Sequence, residues 1–375
     1  MMGSGRTIHE GRTTRSHSGA EVTQRERTLV TPFWVRFASE TSLSPGWLLI
    51  AFPAVLYPLY LALETLFGRG VAAVTDFGGD IDAPNFLYWA VMLGCVSMMG
   101  VYVARGTFSD LEALRPVLRG GADTYAELRQ QLIGFERRRL WIGGFLGFAF
   151  TCVLAEFAAK FWTQHILVGN WSLRALCAMV MAWAAWTTLG LESVYLIDST
   201  RLYSRIGERH VKVDLLDLGP LSPLTRHGLR IVLFLTILTA AGLSVAAVIR
   251  GSEFGAVRAP VILVVCWIVL LASAAFVLPL RGLRRQIRAR KAEELARVRE
   301  DIRRSRELAA ESGPESGPAG AKLPGLLAYK HEIDSVREWP FDAPTLTRFF
   351  LYVAIPIGSW VGGALVERLL GAALD

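Results

Sequence analysis

Five ionisable side chains stand inside or at the edges of long apolar runs: Glu64, Glu156, Lys160, Arg174 and Glu192. A lone charge at mid-membrane is unfavourable by at least about 2.5 kcal/mol, so such residues normally face protein or water and mark ion or proton paths. Glu64 and Glu156 have the chemistry to bind a cation or carry a proton. Glu156 also precedes Lys160 by one helical turn, the spacing of a neutralising pair. Glu192 has no opposite charge near it in sequence, and with Ser193 and Tyr195 beside it, it either binds a hydroxyl or opens to the cytoplasm. The string DFGGDID places Asp76, Asp80 and Asp82 ahead of the second apolar run, where they would raise cation concentration at the mouth of a path. It lacks the residue order and closing Glu of a calcium loop.

Little else in the chain suggests chemistry. No Ser/His/Asp set, HExxH, P-loop or dinucleotide fingerprint is present, and the histidines are scattered. Cys95, Cys152, Cys177 and Cys266 all lie in apolar runs without metal spacing or a neighbouring base, so four free thiols, no cofactor and no enzyme are expected. Gly143, Gly144 and Gly147 include a small-xxx-small pair suited to close helix packing. The net charge of +7 would suit nucleic acid in a soluble protein, but here the basic residues flank apolar spans, and nucleic acid is not expected.

The elements that must position the five charges are membrane helices. About 20 apolar residues cross the roughly 30 Å of bilayer hydrocarbon. Such runs extend over 47–67, 86–104, 140–162, 173–197, 231–249, 259–280 and 349–370. The expected fold is an all-α polytopic transmembrane helix bundle of about seven spans, with a cytoplasmic helical hairpin before the last. The segments 105–139, 198–230 and 281–348 hold most of the Arg and Lys, which places them and the N-terminus inside. In that orientation Glu64, Glu156, Lys160 and Arg174 fall in the outer half of the membrane and Glu192 in the inner third. Trp47, Trp141, Trp162, Trp171 and Tyr195 fall near span ends, as interfacial aromatics do. The last span is broken by Pro356, Gly358, Gly362 and Gly363 and closed by Glu367 and Arg368, so a re-entrant segment is the rival reading there.

Residues 1–46 are polar and Arg-rich and read as a disordered cytoplasmic tail, with no periodicity until Phe33 and Trp34. They lack the features of a cleaved signal. Residues 47–280 form a six-span bundle with cytoplasmic helical loops at 105–139 and 198–230. In the first loop, Ser109 with Glu112 and Thr124 with Glu127 have capping-box spacing on either side of Gly120-Gly121. Two helices are expected there, the second running on into the span at Leu140. Residues 281–348 form a basic helical hairpin, with Leu295, Val298 and Ile302 facing Leu326, Ile333 and Val336 across a Gly/Pro-rich link. A coiled-coil contact between subunits is the alternative, although the stripe falters within about two heptads. Arg281, Arg284, Arg285 and Arg288 lie directly below a span, where they obey the inside-positive pattern and can attract anionic lipid headgroups. Residues 349–375 carry the last span.

The strings VDLLDLGPLSPLTRHGLR, from Val213, and EWPFDAPTLTRFFLYVAIPIGSWVGGALVERLL, from Glu338, resemble stretches of uncharacterised bacterial polytopic membrane proteins. The resemblance implies a bacterial inner-membrane setting and no substrate or reaction. Within the strings, Asp214, Asp217, Gly219-Pro220 and Ser222-Pro223 read as a turn-rich link that is also exposed enough to dock a soluble partner. Trp339-Pro340-Phe341-Asp342 reads as an elbow into the membrane. Two functions lead: small-solute or ion transport using the intramembrane charges, and a sensor or scaffold acting on a cytoplasmic partner through the hairpin.

Overall fold

The computed structural model describes residues 29–67, 82–153, 173–250, 258–311, 318–339, 343–355 and 358. In order these form β1 (Leu29–Val30), α1 (Phe33–Glu40), α2 (Gly46–Phe67), α3 (Asp82–Leu114), α4 (Gly121–Ile133), β2 (Phe135–Glu136) and α5 (Arg137–Val153). Then follow α6 (Leu173–Arg205), α7 (Ser222–Arg250), α8 (Arg258–Glu311), α9 (Pro318–Ser335) and α10 (Ala343–Ile355). Among the described residues, four stretches are long and apolar enough to cross a membrane: Gly46–Leu66, Phe86–Val117, Leu176–His210 and Gly219–Gly242. The chain is an all-α membrane protein. Its apolar helices present large side chains outward, among them Val55, Leu66, Phe145 and Leu146, each more than 60% exposed, as a surface solvated by lipid requires.

The helices alternate in direction, and the basic segments converge on one end. Arg105 donates to the Thr41 carbonyl at 2.7 Å. The Arg119 amide donates to the His210 carbonyl at 2.7 Å, and the Lys212 amide to that of Val117 at 2.8 Å. Gln286 donates to the Val211 carbonyl at 3.1 Å. The largest buried core lies at this basic end, where Leu111, Leu114, Leu132, Tyr203, Ile206, Leu221, Leu224, Leu283 and Ile287 meet. Helices α3, α6, α7 and α8 all extend past their apolar runs to build it.

Close helix contact depends on glycine. A Cβ at Gly143 or Gly147 of α5 would overlap the Gly190 or Trp186 carbonyl of α6, and one at Gly190 would overlap Gly143 in return. A Cβ at Gly282 of α8 would overlap the Ser204 carbonyl of α6, so the two backbones touch there as well.

Several local expectations are corrected. Residues 29–46 are not a structureless tail: β1 pairs antiparallel with β2, and α1 buries Trp34 and Val35. The Ser109/Glu112 box starts no helix, because α3 runs unbroken to Leu114 with Val103, Thr107, Leu111 and Leu114 on one buried face. Nor does Thr124 cap α4, which begins at Gly121 after Gly120 adopts a φ of 90° that glycine tolerates. Helix α4 does not run into α5, because Gly134 turns extended and Phe135 gains partners in β1. Tyr195 is not an interfacial aromatic: it is 1% exposed and packs on Phe135 at 5.5 Å. Trp47 and Trp141 are 60% and 67% exposed, while Trp162 and Trp171 lie outside the described residues.

Beyond residue 280, α8 continues without a break as one 54-residue helix. Helix α9 lies antiparallel along it. The Tyr329 hydroxyl donates to Glu294 at 3.1 Å, and Lys291 donates to the Asp334 and Val336 carbonyls at 2.7 and 2.9 Å. Ile333 is fully buried in this contact, with Leu295 and Val298. Burial and the Glu294 carboxylate both push the Tyr329 phenol above its ordinary range.

Candidate functional site

Glu192 lies on α6 with 1% exposure, and neither carboxylate oxygen has a hydrogen-bond partner among the described residues. Its carboxylate fills the space left by the missing side chain of Gly100 on α3, where a Cβ would collide with it. One turn away on α3, the Ser97 hydroxyl is also fully buried and has no partner among the described residues. Cys95 lies within electrostatic reach of the carboxylate. The Glu192 carboxyl therefore stands at the contact of α3 and α6, on the same stretch of α3 as the buried Ser97 hydroxyl, in a place shut off from water. The neighbouring Ser193 turns away and donates to its own helix at Leu189. Of the two readings of Glu192, opening to solvent is not what the structure shows: it is 1% exposed, and Tyr195, Leu196 and Ser199 toward the basic end are buried as well.

A buried carboxyl with no partner is strongly unfavourable when ionised. What the arrangement can do chemically is bind and exchange a proton.

Glu64, on α2, is 4% exposed and lies within electrostatic reach of Cys177 on α6. Cys177 and Glu192 are 15 positions apart on one helix, or about 22 Å at 1.5 Å per residue. The structure thus separates the two glutamates toward opposite ends of the bundle. Arg174 begins α6 at the Glu64 end, with its side chain outside the described set. Glu156, Lys160, Asp76 and Asp80 lie outside the described residues altogether, as does the Asp82 side chain. The four cysteines are free thiols. No cluster of metal-ligating side chains occurs among the described residues.

Of the basic residues below the sixth run, Arg284 reaches Glu338 at 3.5 Å and lies over the Trp339 ring at 4.4 Å. Arg285 reaches Glu208 at 3.8 Å. Arg281 and Arg288 are exposed. Pro340 to Asp342 of the predicted elbow lie outside the described residues.

A second polar cluster was missed by sequence reasoning. Asp110 of α3, 1% exposed, accepts from Arg230 of α7 at 2.5 Å and lies 3.6 Å from Arg226. A Cβ at Gly106 would overlap the Arg230 guanidinium. One turn back, Thr107 Oγ1 lies 3.4 Å from His227 Nδ1, and the Thr107 carbonyl accepts from the Tyr203 hydroxyl at 2.6 Å. The His227 ring stacks on Tyr203 at 4.0 Å. Its Nε2 is buried and has no partner among the described residues. The signal that could have found it is Ser222-Pro223. Proline is favoured in a first helical turn, so the helix begins there and sets Arg226 and Arg230 one turn apart, although the apolar run begins only at Ile231. Asp214 and Asp217 do form turns, accepting from the Leu216 and Gly219 amides at 3.0 Å each.

Comparison with protein-family models, curated proteins and solved structures finds no match to this chain.

Proposed function

We propose that this is a bacterial inner-membrane protein of about seven spans, with its N-terminus and basic end in the cytoplasm, that moves a small solute or ion using Glu192 as the protonatable group. The observation that carries the reading is the buried, unpartnered Glu192 carboxylate held against Gly100. A structural glutamate at that depth is expected to have a counter-ion, and this one has none among the described residues. The gathering of basic segments at one end supports the orientation. Glu64, near Cys177 and so toward the other end of α6 from Glu192, would serve as a separate station on the opposite side.

The test is reconstitution of the full chain into liposomes, with a membrane potential imposed and lumenal pH followed by a trapped dye. Wild type should acidify or alkalinise the lumen in the direction of the potential, and Glu192→Gln should abolish this while keeping its melting midpoint. Equal proton movement by wild type and a stably folded Glu192→Gln would overturn the reading.

A second reading rests on α8 and α9. Their antiparallel contact extends well beyond the apolar residues and forms a cytoplasmic hairpin suited to a sensor or scaffold. Removing residues 281–321 is a poor test of it, because Leu283 and Ile287 belong to the main core. Replacing 299–325 with a short linker leaves the core intact. Loss of function in that variant, with Glu192→Gln still active, favours the scaffold.

A further inference from the structure

A groove of about 580 Å³ runs along the outward face of α5 and α6, and its wall is almost wholly apolar: Leu140, Trp141, Phe145 and Phe148 on one side, Leu191 and Thr187 on the other. Gly144 forms its floor, where the missing side chain leaves Leu191 in view. Arg137 closes the end of the groove at the basic side of the bundle. There a second hollow of about 450 Å³ is lined by Glu136, Arg137, Arg138 and Trp141.

The charges at this end are uneven. Glu136 is taken by Arg139 at 3.3 Å, and Arg139 also holds Asp198 at 3.0 Å. Arg137 and Arg138 are exposed, and neither has an acidic partner among the described residues. Two uncompensated guanidiniums and an indole thus stand over an apolar trough cut into a membrane-facing surface.

We infer that this trough is a specific site for an anionic phospholipid, with the phosphate headgroup on Arg137 and Arg138 and an acyl chain along Phe145, Phe148 and Leu191. A soluble partner does not fit, because the trough follows α6 into its apolar span, where the solvent is hydrocarbon. Basic pockets between membrane helices on the cytoplasmic side favour anionic headgroups. Trp141, 67% exposed, lies at the level where indoles prefer the headgroup boundary. Arg284 and Arg285, below the sixth run, are by contrast already engaged with Glu338 and Glu208. The site does not depend on transport through Glu192.

The test uses the full chain in neutral detergent. Native mass spectrometry and thermal unfolding are followed with added dioleoyl phosphatidylglycerol, dioleoyl phosphatidylcholine or glycerol phosphate. Wild type should retain phosphatidylglycerol in preference to phosphatidylcholine and melt higher in its presence. Arg137→Gln with Arg138→Gln should weaken that retention about 30-fold. A charge-matched control, Arg299→Gln with Arg306→Gln on α8, should leave it unchanged. These arginines are exposed, so the variants test the site and not the fold. Equal retention of both lipids, an equal loss in the control, or an equal shift with glycerol phosphate alone would each overturn the site. A dimer that dissociates in the Arg137/Arg138 variant without a change in lipid retention would assign the trough to a second copy of the chain and overturn it too.

Discussion

Arg230 donates to Asp110 at 2.5 Å, with the carboxylate 1% and the guanidinium 15% exposed, so the second and fifth apolar helices are joined by an ion pair at the basic end of the bundle. Arg226 lies 3.6 Å from the same carboxylate and is largely exposed. One buried acid therefore faces two bases, one enclosed and one free to move.

Removing either partner of a buried pair strands the other, at a cost of several kcal/mol. Asp110→Asn is expected to destabilise the protein by about 3 kcal/mol, because it leaves the enclosed Arg230 without its acid. Arg230→Gln should cost less, since Arg226 can swing in to hold Asp110. Thermal unfolding in detergent of the two single variants and the double tests this. An order reversed between the singles would show that Arg226 gives Asp110 no cover.

The glycine contacts between α5 and α6 predict a ranking. A methyl at Gly147 or Gly190 meets backbone carbonyls, which cannot move without shifting a helix. At Gly144 the nearest atoms belong to the Leu191 side chain at 3.2 Å, which can rotate. Gly147→Ala and Gly190→Ala should each cost about 2 kcal/mol, within the range for overpacking, and Gly144→Ala markedly less. Melting midpoints of the three variants check the order.

Helix α1 is expected to be an integral part of the fold. Trp34 and Val35 are 1% and 0% exposed and join the cluster around Met99, Val103 and Phe135. Trp34→Ala should cost about 3 kcal/mol or more. It should also expose the α1–α2 link to protease, a link that Arg105 otherwise holds through Thr41. Unchanged melting and proteolysis would mean that α1 lies on the bundle without stabilising it.

The α8–α9 contact should be sensitive to alkali. The Tyr329 phenol is raised above its usual range by burial and by Glu294, so its contribution is fully present below about pH 10, the ordinary phenol value, and is lost as pH rises through the folded one. Protection of α9 amides, taken relative to their intrinsic base-catalysed exchange, should fall over that window in wild type. In Tyr329→Phe that relative protection should stay level across it.

What was legible in the sequence followed hydropathy. The apolar runs 47–67, 86–104, 173–197 and 231–249 all appear as helix, because length and composition suffice for that inference. The paired spacing of Gly143 and Gly147 pointed to close packing, and the structure places both against Gly190. Helix ends were less legible. Ser109 and Thr124 carry capping spacing, yet tertiary burial of Leu111 and Leu114 carries α3 straight through the first, and Gly120 opens α4 ahead of the second. Pairing of Leu29 with Glu136, or of Asp110 with Arg230, joins residues about 100 positions apart, and no local pattern encodes such a partner. Glu192 stood out because a charge in an apolar run is improbable without cause. Gly100, which makes room for it, looks in sequence like any other membrane glycine.

That last relationship yields its own prediction. A Cβ at Gly100 would overlap the Glu192 carboxylate, so Gly100→Ala must push the carboxyl aside within a site that is 1% exposed. Glu192→Ala has the opposite defect, a cavity where the carboxyl was. In the double variant the new methyl lies where the old side chain ended, and each change relieves the other. The double should therefore be less destabilised than the sum of the singles by about 1 kcal/mol, the scale of coupling between residues in contact. Melting midpoints of wild type, the two singles and the double form the cycle. Strict additivity would place Glu192 away from Gly100 and remove the geometric basis for its isolation.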